Sequence, residues 1–163
     1  MKRILTSLIL LVSCVALSQA YTFDQYMNSL VKENVVSEIH VSRLMLNMVS
    51  PEILDKLPLL ENVEQINSVS IYTASNADAI KRCNTTIANY FSSSEQANLS
   101  DNLLEIKDGR DYTVVYGVKN GLNTSAYSVV VLFTSDGSKG QVMVFQGNIT
   151  LDVLYMIGKS VAK

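Results

Sequence analysis

Three apolar runs in the last third of the chain limit what it can fold into. They are Tyr112–Val118, Ala126–Thr134 and Gln141–Gly147, separated by the turn-forming stretches Asn120-Gly121 and Asp136-Gly137-Ser138-Lys139-Gly140. In the first run Tyr112, Val114, Tyr116 and Val118 alternate with Thr113, Val115 and Gly117. Successive side chains of a strand point to opposite faces, so the two sets predict two faces of one strand. Asn-Gly tolerates the positive φ of a tight hairpin. The second run contains SVVVLF, apolar on both faces, which predicts a strand in the middle of a sheet. Asn148-Ile149-Thr150 is then expected to open a helix with Leu151, Leu154, Tyr155, Ile157 and Val161 as its apolar stripe. Asp152 sits where the N-terminal end of a helix dipole favours an anion.

Upstream, Phe23–Glu33 reads as an amphipathic helix with Phe23, Tyr26, Met27, Leu30 and Val31 on one face and Asp24, Gln25, Asn28 and Lys32 on the other. Val35–Val41 predicts a strand, with Val35, Ser37, Ile39 and Val41 on its apolar face and Val36, Glu38 and His40 opposite. Ser42 is placed to cap a short helix through Met48. Ser50-Pro51 starts another that ends before Pro58. Ile66–Thr73 alternates again, with Val69 and Ile71 one way and Ser68, Ser70 and Tyr72 the other. Ser75 is expected to cap the longest helix, Asn76–Phe91, whose buried stripe is Ile80, Cys83, Ile87 and Phe91. Ser92–Asp101 is polar and predicts a loop, Leu103–Lys107 a strand, and Asp108-Gly109 a turn into the meander.

These elements predict an α+β fold: a two-layer sandwich with a mixed, mostly antiparallel sheet of about five or six strands and helices on one face. The polar faces of the first two strands suit a sheet with its other face open to solvent.

The succession of acidic strand, Asp-Gly turn, aromatic strand, Asn-Gly turn, VVVLF strand and a VFQGNITLDVLYMIGK close resembles a family of small exported Bacteroidetes proteins known as a domain of unknown function (number four-two-five-two). The resemblance runs from about Phe23 to Val161. It implies an envelope or periplasmic setting, often as a lipoprotein, and transfers no catalytic residue.

Met1-Lys2-Arg3, the apolar stretch Ile4–Leu17 and the small-residue site Ser18-Gln19-Ala20 read as a secretory signal peptide. The stretch is short of the ~20 apolar residues that span a membrane. Cleavage between Ala20 and Tyr21 leaves residues 21–163 as one α+β domain. Leu11-Val12-Ser13-Cys14 also fits a bacterial lipobox, in which Cys14 would be lipidated and hold the protein on a membrane; the apolar run continuing through Leu17 argues against it. Removing Lys2 and Arg3 leaves eleven basic against fifteen acidic residues, so the formal charge goes from −2 to −4. Such a surface does not attract a phosphate backbone, which argues against nucleic acid as a partner. Cys83 is then the only thiol, and its place on a buried stripe keeps it neutral and inert.

The best candidate site is formed by Glu38, His40, Ser70 and Tyr72, which converge if the strands at Val35–Val41 and Ile66–Thr73 are neighbours. These residue types can do acid–base or nucleophilic work. The plainer reading is a solvated strand face, since no G-x-S-x-G turn or equivalent supplies an oxyanion site. Asp101, Glu105, Asp108 and Asp111 cluster near a turn, but their spacing matches no calcium loop. One histidine does not make a His-rich zinc site. Met45 and Met48 are expected to fill core. Gly137-Ser138-Lys139-Gly140 lacks phosphate-loop spacing and reads as a hairpin turn. The sequons at Asn84, Asn98, Asn123 and Asn148 are taken as chance beside a bacterial-looking leader.

The chain is thus read as a periplasmic or outer-membrane-associated protein that is not an enzyme and carries no cofactor. Its expected role is interaction or structure: presenting a sheet face or edge to an envelope protein. The competing reading is a periplasmic small-molecule-binding domain or hydrolase using Glu38, His40 and Tyr72.

Overall fold

The computed structural model describes residues 22–48, 65–93, 97–120 and 123–155. The expected leader with Cys14 and the Ala20–Tyr21 junction, the helix expected after Ser50, Gly121 of the Asn-Gly turn, Ile157 and Val161 lie outside them. In chain order the elements are α1 (Phe23–Lys32), β1 (Ser37–Ser42), α2 (Arg43–Met48), β2 (Ile66–Ala74), α3 (Ala77–Ser92), β3 (Ser100–Asp108), β4 (Asp111–Asn120), β5 (Asn123–Ser135) and β6 (Gly140–Thr150). A short helix, α4, follows at residues 151–155. The described strands form one six-stranded sheet in the order β1-β2-β6-β5-β4-β3. Every pairing is antiparallel, so the expected mixed sheet contains no parallel step among the described residues.

The alternation in β4 works as its sequence implies. Val114 is buried on the face covered by α1 and α3, and Val115 is buried on the other. β5 is interior, with Val131 and Phe133 buried on one face and Val130 and Leu132 on the other, as a run apolar on both sides requires. The first core unites Phe23, Met27 and Leu30 of α1 with Cys83, Ile87 and Phe91 of α3 over the sheet. Aromatic contacts fix the two helices: Phe23 meets Tyr90 edge-on at 5.2 Å between ring centroids, and Phe91 stacks on Tyr116 of β4 at 4.3 Å. Burial pushes the Cys83 thiol up to about 11, which keeps it protonated at neutral pH.

The two long helices share one face, as expected, but the opposite face is not open throughout. A second core there joins Val69, Val130, Leu132 and Phe145 to Leu46 of α2 and Val153 of α4. Several local expectations change. α3 is capped by Asn76, whose side chain accepts from the Ala79 amide at 2.9 Å, and not by Ser75. Ile149 belongs to β6 and is fully buried. In α4 Val153 is buried and Leu154 of the expected stripe packs partly buried against the same core, while Leu151 and Tyr155 are exposed. Met45 and Met48 are exposed rather than in the core, and so is Ile39 of the expected apolar face of β1. β1 is an edge strand, and Ile39 lies opposite Ile71 on the face of the second core with a paired neighbour on one side only, so its alternation does not decide its burial.

The β5–β6 turn is closed by Asp136. Its Oδ1 accepts from the Ser138 amide at 2.8 Å, the Ser138 hydroxyl at 2.8 Å and the Lys139 amide at 2.7 Å. Gly137 takes φ +83°, a conformation a side chain resists. The Lys139 amide, then the Ser138 hydroxyl and amide, hold the Asp136 carboxyl down to about 2. A depressed carboxyl contributes stability that is complete above its ordinary value of 3.8 and is lost as pH falls towards 2. Asp136→Asn should therefore flatten the acid side of the stability profile. In urea unfolding, its deficit against the native chain should be clear at about pH 5 and shrink towards about pH 2.

Candidate functional site

β1 and β2 pair with Glu38 opposite Tyr72 and His40 opposite Ser70. The four residues singled out in the sequence are therefore direct cross-strand neighbours on one face. Two of them are not solvated, however: Ser70 is 3% exposed and Tyr72 is 1% exposed. The expected wet face is the face covered by α1. Burying a hydroxyl without a partner costs about 1–3 kcal/mol, so such groups must be satisfied within the fold.

The partners come from elements distant in sequence. β2 and β6 pair with Ser68 opposite Gln146, and the first turn of α1 brings Asp24 over this junction. Tyr72 donates its hydroxyl to Asp24 Oδ1 at 3.3 Å, and Gln146 donates its amide to Asp24 Oδ2. The Ser68 hydroxyl donates to Gln146 Oε1 at 3.4 Å. Near the edge, His40 Nδ1 and Ser70 Oγ lie 2.9 Å apart, with the tautomer of His40 deciding which donates. Asp24 stands at a helix N-terminus, where the backbone dipole favours its charge. Burial, followed by the charges of Asp24 and Glu38, pushes the Tyr72 phenol well above its ordinary value. At neutral pH Tyr72 is thus held protonated, donating its hydroxyl to Asp24.

Asp24 and Gln146 were missed as site residues. Gln146 carried a usable signal. The alternation Val142, Val144, Gln146 puts a polar group on an apolar face, and such a group needs a partner. Asp24 carried none, because it fits the polar side of an amphipathic helix.

Chemically, the cluster couples a clamped carboxylate to a protonated phenol, with an imidazole–hydroxyl pair at the rim. Glu38 and His40 are exposed; Ser70 and Tyr72 are not. β2 is paired on both sides, so its amides are used in the sheet, and Ser70 sits mid-strand without the free N–H pair an oxyanion would require. The acidic residues near the β3–β4 turn form no group of three or more that could hold a metal among the described residues, although Asp108 lies opposite Asp111. Asp101 pairs with Lys119 at 3.0 Å and accepts from the Tyr127 hydroxyl, whereas Glu105 pairs with Lys107 at 2.7 Å.

Comparison with protein families matches residues 26–157 to the family described as Domain of unknown function (DUF4252). The chain belongs to this family. No curated protein and no solved structure matched. The DUF4252 match spans the whole described sheet and includes Glu38, His40, Ser70, Tyr72 and Gln146; Asp24 lies just ahead of it.

The outer edges of this DUF4252 sheet are β1 and β3. Leu104–Asp108 of β3 is exposed at every position, with Leu104 at 41% and Ile106 at 50%. An interior strand has at least one face covered; this run is exposed on both, and among the described residues one side of its backbone faces no neighbouring strand. Two open depressions of about 520 and 450 Å³ lie around the β5–β6 and β3–β4 turns. Thr73 and Gln141 line the first; Lys81 and Arg110 line the second. No helix among the described residues is long and apolar enough to cross a membrane.

Proposed function

We propose that this DUF4252 protein is exported to a bacterial cell envelope and acts there as a non-enzymatic interaction module, binding its partner by adding a strand to an open sheet edge. The observation that carries the reading is the run Leu104–Asp108 of β3, exposed on both faces and, among the described residues, unpaired along its outer side. Soluble proteins usually blunt such an edge with charged side chains, proline, a bulge or a covering segment, because it templates pairing with another chain; this run has no proline, and its Glu105 and Lys107 carry opposite charges that a partner strand can match. Here the bulge lies further back, between Asn102 and Leu104, and leaves the run regular. Export is supported by Met1–Ala20, with its basic start, apolar stretch and small-residue cleavage site. Lipidation at Cys14, as in the Bacteroidetes proteins the chain resembles, would hold the edge at a membrane surface.

The competing reading, a small-molecule site, draws on Glu38 and His40, exposed together beside the buried Ser70 and Tyr72. Partner capture from an envelope fraction separates the two. Leu104→Lys with Ile106→Lys should abolish capture, and the β3 amides should gain hydrogen-exchange protection in the complex, while Glu38→Ala and His40→Ala leave both unchanged. Capture that survives the β3 substitutions and fails in the His40 variant would transfer the function to the other site.

A further inference from the structure

We propose that the strand added to β3 is β3 of a second copy of the chain, paired antiparallel about a two-fold axis at Ile106. This rests on the reading that β3 receives a strand. Its basis is the order Glu105-Ile106-Lys107. In an antiparallel pair centred on Ile106, Glu105 lies opposite Lys107 of the second copy, and Lys107 opposite its Glu105. Centring the pair on Glu105 or on Lys107 instead sets like charges against each other, which destabilises a cross-strand pair. The register is therefore chosen by charge, and the edge is complementary to itself.

The two faces of the run agree with this register. Glu105 and Lys107 share the face of Tyr112, since Lys107 lies opposite Tyr112 in the β3–β4 pairing and Glu105 opposite Val114. Within one chain Lys107 Nζ is 2.7 Å from Glu105 Oε1 and lies 5.4 Å from the Tyr112 ring centre. Tyr112 donates its hydroxyl to Glu105 at 3.3 Å. Pairing extends this single ion pair into a four-charge square of alternating sign. On the other face Ile106 meets its own copy, with Leu104 diagonal to it, so the exposed apolar side chains of the edge cover each other. Leu104 lies opposite Asp108 of the second copy, at the exposed turn. β1 offers a poorer edge: it is six residues long, and its His40 is engaged with Ser70.

Light scattering on the purified chain across a dilution series, with Glu105→Lys and Lys107→Glu variants, tests the pairing. The native chain should run as a dimer that dissociates on dilution. Each single reversal replaces two attractive pairs with two repulsive ones and should weaken association about tenfold or more. The double swap, Glu105→Lys with Lys107→Glu, restores the alternation and should restore the dimer. Mixing the two single variants should yield a one-to-one heterodimer. Circular dichroism checks the fold of each variant, and Ile106→Lys gives a second, independent disruption. A native chain that stays monomeric at about 100 µM overturns the proposal. So does a dimer indifferent to the single reversals. A monomeric chain that still captures another partner through β3 overturns the self-pairing alone; loss of edge-dependent capture overturns the reading beneath it.

Discussion

Gly147→Ala should cost about 3 kcal/mol of folding stability, the upper end of what an added carbon costs in a well-packed interior. At Gly147 a Cβ would lie 2.0 Å from the Gln65 carbonyl oxygen and 3.1 Å from the Ile66 Cα. Both are backbone atoms, so no side chain can swing aside. The approach is close because β2 bulges between Ile66 and Ser68, where it meets Gly147 in the ladder. An added methyl group must push the start of β2 away from β6, undoing the junction that also carries Ser68 and Gln146. Gly109→Ala is the control. Gly109 has φ +60° but nothing within 4 Å of its Cβ position, so only backbone strain of about 1–2 kcal/mol applies. Urea unfolding of both variants, set against the 5–15 kcal/mol typical of a domain, checks the contrast. Equal costs would mean that the β2–β6 contact is looser than described.

The second large effect is at Tyr72. Tyr72→Ala should cost about 3–5 kcal/mol, since it empties a fully buried aromatic site between α1 and the sheet. Tyr72→Phe keeps the ring and removes one hydrogen bond to Asp24, which still accepts from Gln146, so about 1–2 kcal/mol is expected. The phenol also sets a pH signature. Its proton is held more tightly in the folded chain than at the ordinary value of 10.0, so its contribution is complete below that value and is lost progressively as pH rises from there towards the much higher folded value. Above about pH 10 the native chain should lose stability more steeply than Tyr72→Phe, as read from urea midpoints. Parallel profiles would place the phenol outside the buried network.

How much of this was legible in the sequence depended on whether a residue's environment is set by its neighbours in the chain. β4 and β5 were readable because their alternation and apolar content match the covers on each face: Val114 and Val115 go to opposite cores, and Val130 to Phe133 fill both. The cross-strand meeting of Glu38, His40, Ser70 and Tyr72 was readable once two adjacent strands were assumed. Their burial was not. Ser70 and Tyr72 look like a wet face until Asp24 arrives from α1 and Gln146 from β6, a contact across 122 positions that no local pattern encodes. The cap of α3 failed for a smaller reason. Ser75 and Asn76 are both good caps, and only the position of the oxygen relative to the Ala79 amide decides between them. β1 failed because an edge strand can expose an isoleucine that periodicity would bury.

The order β1-β2-β6-β5-β4-β3 has a consequence for assembly in time. β3 to β6 are joined by successive hairpins and can zip together through contacts near in sequence, the kind that form fast. β2 must wait: Ile71 pairs with Met143, which leaves the ribosome long after it. The N-terminal half cannot finish its share of the sheet until the last strand is made, so β2 stays unpaired on its β6 side for most of synthesis and closure of the fold is deferred to the end of the chain.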